Sequence, residues 1–164
     1  MKKTTLLLMC ILGSYAIDAQ DYLISGPSQI QTCGGTFYDN GGPNGNHNPN
    51  DYDQTFTSAN GDRLRFNFSL WDVGQHSKLR VYDGPNASYP LIGLYDYFGS
   101  TPGVIESTGT TLHFDFDGFS YAPGWQAAIS CIPTLPLINM QTLSSHTLCE
   151  GVIFDSGGAS SNYG

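Results

Sequence analysis

Positive charge is scarce in this chain. Lys and Arg total 6 against 14 Asp and Glu, for a formal net charge of −8. Two of the six are Lys2 and Lys3, and Lys78 is the only later lysine. Nucleic-acid binding needs a basic footprint, and none is present. Long apolar runs are also lacking. The longest lies near the N-terminus and falls short of the ~20 residues a bilayer requires, so no membrane span is expected. There is no G-x-S-x-G elbow, no H-E-x-x-H and no Walker sequence. His47, His76, His113 and His146 stand singly, without the convergence a zinc site needs. Asp115 and Asp117 sit two apart on one segment, whereas glycosidase carboxylates flank a cleft from different elements. The chain reads as a non-catalytic one, and no segment shows convincing helical periodicity.

What is present begins with an export signal. Met1-Lys2-Lys3 is basic, Leu6 to Leu12 is apolar, and Ala19 offers a small residue before Gln20. That pattern predicts a secretory signal peptide over residues 1–19. The expected location is secreted or at the cell surface, where disulfides are permitted. Of the 4 cysteines, Cys10 falls in the signal, leaving Cys33, Cys131 and Cys149. Three is odd, so one thiol lacks a partner within the chain.

The mature part is rich in turn formers, with 20 Gly and 9 Pro, and in aromatics, with 10 Tyr and 9 Phe. Asp39 to Asn50 is a polar loop. From Asp62 to Leu70, Leu64, Phe66, Phe68 and Leu70 alternate with Arg65, Asn67 and Ser69, which predicts a strand with one buried face. Lys78–Tyr82, Leu91–Tyr95, Val104–Ile105, Thr110–Phe116 and Trp125–Cys131 are further predicted strands, as is Tyr52–Thr57. Some eight short strands with intervening turns favour an all-β sandwich. Cys131 shares a face with Trp125, Ala127 and Ile129, and Cys33 shares parity with Phe37. Cys33 and Cys131 pair if the first and last strands are neighbours; reduced or differently paired cysteines are the alternative.

An internal repeat is visible as well. Residues 33–47 read CGGTFYDNGGPNGNH and residues 149–163 read CEGVIFDSGGASSNY. The cysteine, the second glycine, Asp39/Asp155, the Gly-Gly pair and Asn46/Asn162 recur. The expected organisation is a signal at 1–19, a sandwich at 20–132, a linker at 133–145 and the start of a second copy at 146–164. A short Gly-rich segment cannot bury a core alone. The chain therefore reads as the front of a longer multidomain protein, with Cys149 pairing further on.

In order along the chain come Cys33-Gly34-Gly35, Leu64-Arg65-Phe66-Asn67-Phe68, Leu79-Arg80-Val81-Tyr82-Asp83-Gly84, Leu112-His113-Phe114-Asp115-Phe116-Asp117 and Gly124-Trp125-Gln126-Ala127. This ordered set resembles a CUB domain, and most resembles the CUB-like modules of secreted Bacteroidetes proteins. The resemblance implies a jelly-roll β-sandwich of antiparallel strands that recognises or adheres to an extracellular protein or polysaccharide. The alternative is a carbohydrate-binding accessory domain of a secreted hydrolase or protease. The usual partner of the first cysteine is missing near Gln54 or Thr57, which again turns attention to Cys131. Calcium-binding members carry acidic residues at positions that fall here near Gly74, at Ser77 and at Asp117. Only Asp117 has the right type. Asp72, Asp83, Asp115 and Asp117 would have to regroup to give calcium its six to eight oxygens. Solvated turn positions account for them better, so no cofactor is expected. The candidate binding residues are Trp71, Tyr95, Tyr97, Asp117 and Tyr121, aromatics and a carboxylate suited to a sugar ring or a protein loop.

Overall fold

The computed structural model describes residues 20–134 except Ser100, together with the strands at 137–139 and 152–154. The expected signal peptide, Cys10, Cys149 and most of the expected linker and second copy lie outside the described residues. Two five-stranded sheets form the fold. They are built from β1 (Asp21–Leu23), β2 (Gln29–Thr32), β3 (Thr36–Tyr38), β4 (Tyr52–Ser58), β5 (Arg63–Asp72), β6 (Lys78–Tyr82), β7 (Leu91–Asp96), β8 (Val104–Glu106), β9 (Thr111–Asp117) and β10 (Gly124–Ile132). Sheet A runs β1-β3-β10-β5-β8 and sheet B runs β2-β4-β9-β6-β7. The all-β sandwich expected from the alternating segments is the observed architecture. Most pairings are antiparallel, but β1 pairs with β3 and β2 with β4 in parallel. Both parallel pairs come from the N-terminal segment, which lays one short strand on the same edge of each sheet.

The core is aromatic. Phe37, Phe56, Phe66, Phe114, Phe116 and Trp125 are fully buried between the sheets, with Leu64, Leu79 and Leu112 beside them. Alternation explains why: along β9, Leu112, Phe114 and Phe116 point in while Thr111 and Asp115 point out. On β5 the alternation fails once. Leu70 was placed on the buried face by its parity with Phe68, yet it is exposed. A bulge accounts for this, because Gln126 pairs with Leu70 while Ala127 pairs with Phe68, leaving Ser69 as an extra residue. An extra residue reverses the faces beyond it, sending Leu70 out and turning Trp71 inward. Tyr38, at the end of β3, is also buried, since β3 lies between β1 and β10.

Cys33, in the turn between β2 and β3, is disulfide-bonded to Cys131 near the end of β10, across 98 residues of sequence. Two further strands, β11 (Leu137–Asn139) and β12 (Val152–Phe154), pair in parallel. Their register is Leu137↔Val152, and that of the first parallel pair is Asp21↔Thr36, so both members recur 116 residues further on.

Candidate functional site

Four connections gather at one end of the sandwich. They follow β3, β5, β7 and β9. Lys78, the first residue of β6, is flanked by Asp96 on β7 and Asp117 on β9, so the chain leaves these two strands at the same end, on either side of β6. The β7 exit carries Tyr97 and Phe98, 49% and 74% exposed, with ring centroids 5.1 Å apart. The β9 exit carries Phe119 and Tyr121, 68% and 72% exposed. His76, from the β5–β6 connection, stands edge-on to Phe119 at 5.3 Å. His76 is also the one described non-glycine residue with a positive φ, 66°, a conformation most side chains avoid and His tolerates better than many. The result is a rim of exposed aromatic rings.

Buried polar residues hold the rim in place. The Ser77 hydroxyl accepts hydrogen bonds from the backbone N–H of Phe119 at 3.0 Å and of Ser120 at 3.3 Å. His47 is fully buried, and its Nε2–H donates to the Val73 carbonyl at 2.8 Å while its ring meets Phe116 edge-on. Its backbone N–H donates to the Ala122 carbonyl at 2.9 Å. Asp39 is fully buried too. Its carboxylate accepts from the backbone N–H of Gly41 at 2.6 Å and of Trp125 at 3.0 Å. Burial pushes the Asp39 carboxyl above its ordinary range, opposed by those two backbone donors. Gly124 has φ 86°, and a Cβ there would overlap the Asp39 carboxylate, so the close approach requires glycine. Asp39→Ala leaves the Trp125 N–H buried without an acceptor. The expected loss is about 1–3 kcal/mol of stability, read by urea denaturation, with Asp39→Asn retaining part of it.

The sequence-derived candidates divide. Tyr97 and Tyr121 stand on the rim. Trp71 and Tyr95 lie behind it, half-buried. Trp71 packs on Trp125, Phe68 and Tyr95 at centroid distances of 6.0–6.2 Å, and its Nε1–H donates to the Asp96 carbonyl at 3.4 Å. Burial raises the Tyr95 phenol pKa. Asp117 is half-exposed and ion-paired with Arg80 at 2.8 Å, and Arg80 also reaches Asp115 at 3.3 Å. The four aspartates do not regroup. Asp72 accepts from the Gly74 N–H, and Asp83 accepts from the Thr108 N–H and hydroxyl. No cluster of three or more His, Cys, Asp or Glu converges among the described residues. At the position where the CUB resemblance places an aspartate, Ser77 spends its hydroxyl on the loop backbone. Phe119 is a loop aromatic by sequence as well, whereas Phe98 on the rim and the buried His47 and Ser77 behind it were not among the binding candidates. An aromatic in a turn was the available signal for Phe98. For His47 and Ser77 there was none.

His113 faces outward on β9 but is buried by its surroundings. Its Nδ1 lies 2.9 Å from the Thr55 hydroxyl, which donates to the Pro85 carbonyl. The imidazole Nδ1–H is therefore the donor to Thr55 Oγ1. Burial lowers the His113 pKa from its ordinary 6.5, outweighing the nearby carboxylates of Asp53 and Asp115. The unfolded chain therefore takes up a proton more readily than the folded one. Stability is expected to be full above pH 6.5 and to fall as the pH drops through that value, levelling off below the depressed folded pKa. One proton bounds the slope at about 1.4 kcal/mol per pH unit. Denaturation at stepped pH reads it, and His113→Gln should flatten that part of the profile.

A cleft of about 480 Å³ opens elsewhere, between the edge strands β1 and β2, lined by Asp21, Tyr22, Leu23, Pro27 and Ile30 among others. No helix among the described residues is long and apolar enough to cross a membrane.

No protein-family model and no curated protein matches this sequence. Among solved structures, it is similar to the full extracellular region of zebrafish Gpr126/Adgrg6, at a TM-score of 0.53 and 14% identity, over 65% of this chain and 15% of that one. It is similar to the CUB1-EGF-CUB2 domain of human MASP-1/3, at 0.48 and 13%, over 63% of this chain and 41% of that one. It is also similar to the MASP-1 CUB2 domain bound to Ca2+, at 0.47 and 13%, over 65% and 99%. At a TM-score of 0.53 and 14% identity the first likeness is one of fold alone, and the strand order of the two sheets is that of a jelly-roll β-sandwich.

Proposed function

We propose that residues 20–132 are an extracellular recognition module of the CUB-like kind, which binds a protein or glycan through its aromatic rim and does not catalyse. One observation carries the reading. Tyr97, Phe98, Phe119 and Tyr121 are exposed at one end of a sandwich, and hydrogen bonds of Ser77, His47 and Asp39 fix the connections around Phe119 and Tyr121. Exposed apolar rings have no stabilising role there, and rigid aromatic anchors are what binding surfaces use. The Cys33–Cys131 disulfide supports an oxidising compartment. The recurrence of the parallel register 116 residues on supports a tandem arrangement, with a second module of the same kind beginning at β11.

A glycan array and an array of extracellular matrix proteins, probed with the full chain, test this reading. A ligand found on either should be lost by about tenfold or more when Tyr97 and Tyr121 are both changed to alanine, with the melting temperature unchanged. Binding that survives alanine at all four rim rings overturns it. Polysaccharide binding alone would make the module an accessory domain of a carbohydrate-active protein.

A further inference from the structure

Four strands form the outer edges of the two sheets, and three of them are blunted. β1 and β8 are three residues each and β2 is four. β8 ends at Glu106, which pairs with both Arg63 and Arg65. β7 differs. It runs six residues as LIGLYD with a bulge at Ile92, contains neither Lys nor Pro, and pairs only with β6 among the described strands. Leu91, Ile92 and Leu94 on it are exposed. Leu94 lies opposite Arg80 on the outer face, and the Arg80 guanidinium is turned the other way, toward Asp115 and Asp117 on β9. The bulge is the one guard on this edge: beyond it Gly93–Asp96 pairs regularly with β6, and its outer side presents unpaired backbone donors and acceptors to an incoming strand.

The charge around this edge selects the strand. From Gln20 onward there are 13 acidic and 4 basic residues. Three of the four, Arg63, Arg65 and Arg80, are already ion-paired. Asp96 ends the strand, and its carboxylate is not ion-paired with a described cation; Asp83, just after β6, gives its carboxylate to Thr108 on the other side. A second copy of so acidic a chain is repelled.

We propose that the β7 edge accepts an extended, basic peptide segment as an added strand, with apolar residues beside Leu91 and Leu94 and Lys or Arg toward Asp96. Backbone pairing supplies the affinity in this mode, and the acidic charge of the chain and of Asp96 supplies the choice of partner. The site is distinct from the aromatic rim.

The test uses the full chain, isotope-labelled for NMR. The probes are a nine-residue peptide of alternating valine and threonine with lysine at each end, and its glutamate-ended counterpart. The lysine peptide should shift the amides of Leu91–Asp96 saturably, and the glutamate peptide should not. Leu94→Lys and Ile92→Lys, both at exposed positions, should each weaken binding by about tenfold or more, the effect of an edge gatekeeper. Tyr121→Ala should leave it unchanged, which separates this site from the rim. Equal binding of both peptides, shifts centred on β2, β8 or the rim, self-pairing through β7, or no binding would each overturn the proposal.

Discussion

Replacing Cys33 and Cys131 together by alanine should lower the unfolding free energy by about 2–5 kcal/mol. The bond joins the turn before β3 to the end of β10, across 98 residues. Cross-linking removes conformations from the unfolded chain, and longer loops lose more. For a loop this long the chain-entropy value is about 4.7 kcal/mol. The native state itself needs little rearrangement, because β10 already pairs with both β3 and β5 beside the bond. Urea denaturation of the oxidised parent and of the double variant reads the difference. A loss below about 1 kcal/mol would mean that the unfolded chain is already compact without the bond.

Phe37→Ala should cost about 3–5 kcal/mol. Phe37 is fully buried on β3 and touches Phe66 and Trp125 of its own sheet and Phe56 and Phe114 of the other, at centroid distances of 5.0–5.8 Å. Truncation opens a cavity against four rings that cannot collapse onto a strand pinned between β1 and β10. Phe37→Leu keeps much of the volume and should cost clearly less. Leu94→Ala, at an exposed position, should stay within about 0.5 kcal/mol. Thermal and chemical denaturation of the three variants orders them, and a Phe37→Ala loss no larger than that of Leu94→Ala would contradict this account of the core.

Much of the fold was legible in the sequence, and the reason is alternation. β5, β6, β9 and β10 each bury one face, and their residues show it at a period of two. β1 and β2 did not announce themselves. Three or four residues such as DYL and QIQT carry too little periodicity, and their parallel pairing depends on distant partners. The Ser69 bulge was equally silent, because an unbroken alternation through Leu70 is what an unbulged strand would also show. The candidate site was half legible. Tyr97 and Tyr121 signal themselves as aromatics in turns. Trp71 and Asp117 do not reveal that one packs inward and the other meets Arg80. His47, Ser77 and Asp39 lie in polar stretches that read as solvated loops, and only the fold shows that each closes a buried hydrogen bond.

The placement of β10 at the centre of sheet A has a consequence for timing. Every strand of sheet B has been made once Asp117 has been synthesised. Sheet A has not, since β3 and β5 share no border until Gly124–Ile132 emerges and slots between them. Until then the inner face of sheet B has only two detached fragments to cover it, and Cys33 waits for a partner near the end of the same strand. A growing chain of this kind stays open until its last strand arrives. That delay makes closure of the sandwich, and of the disulfide, the work of its last strand.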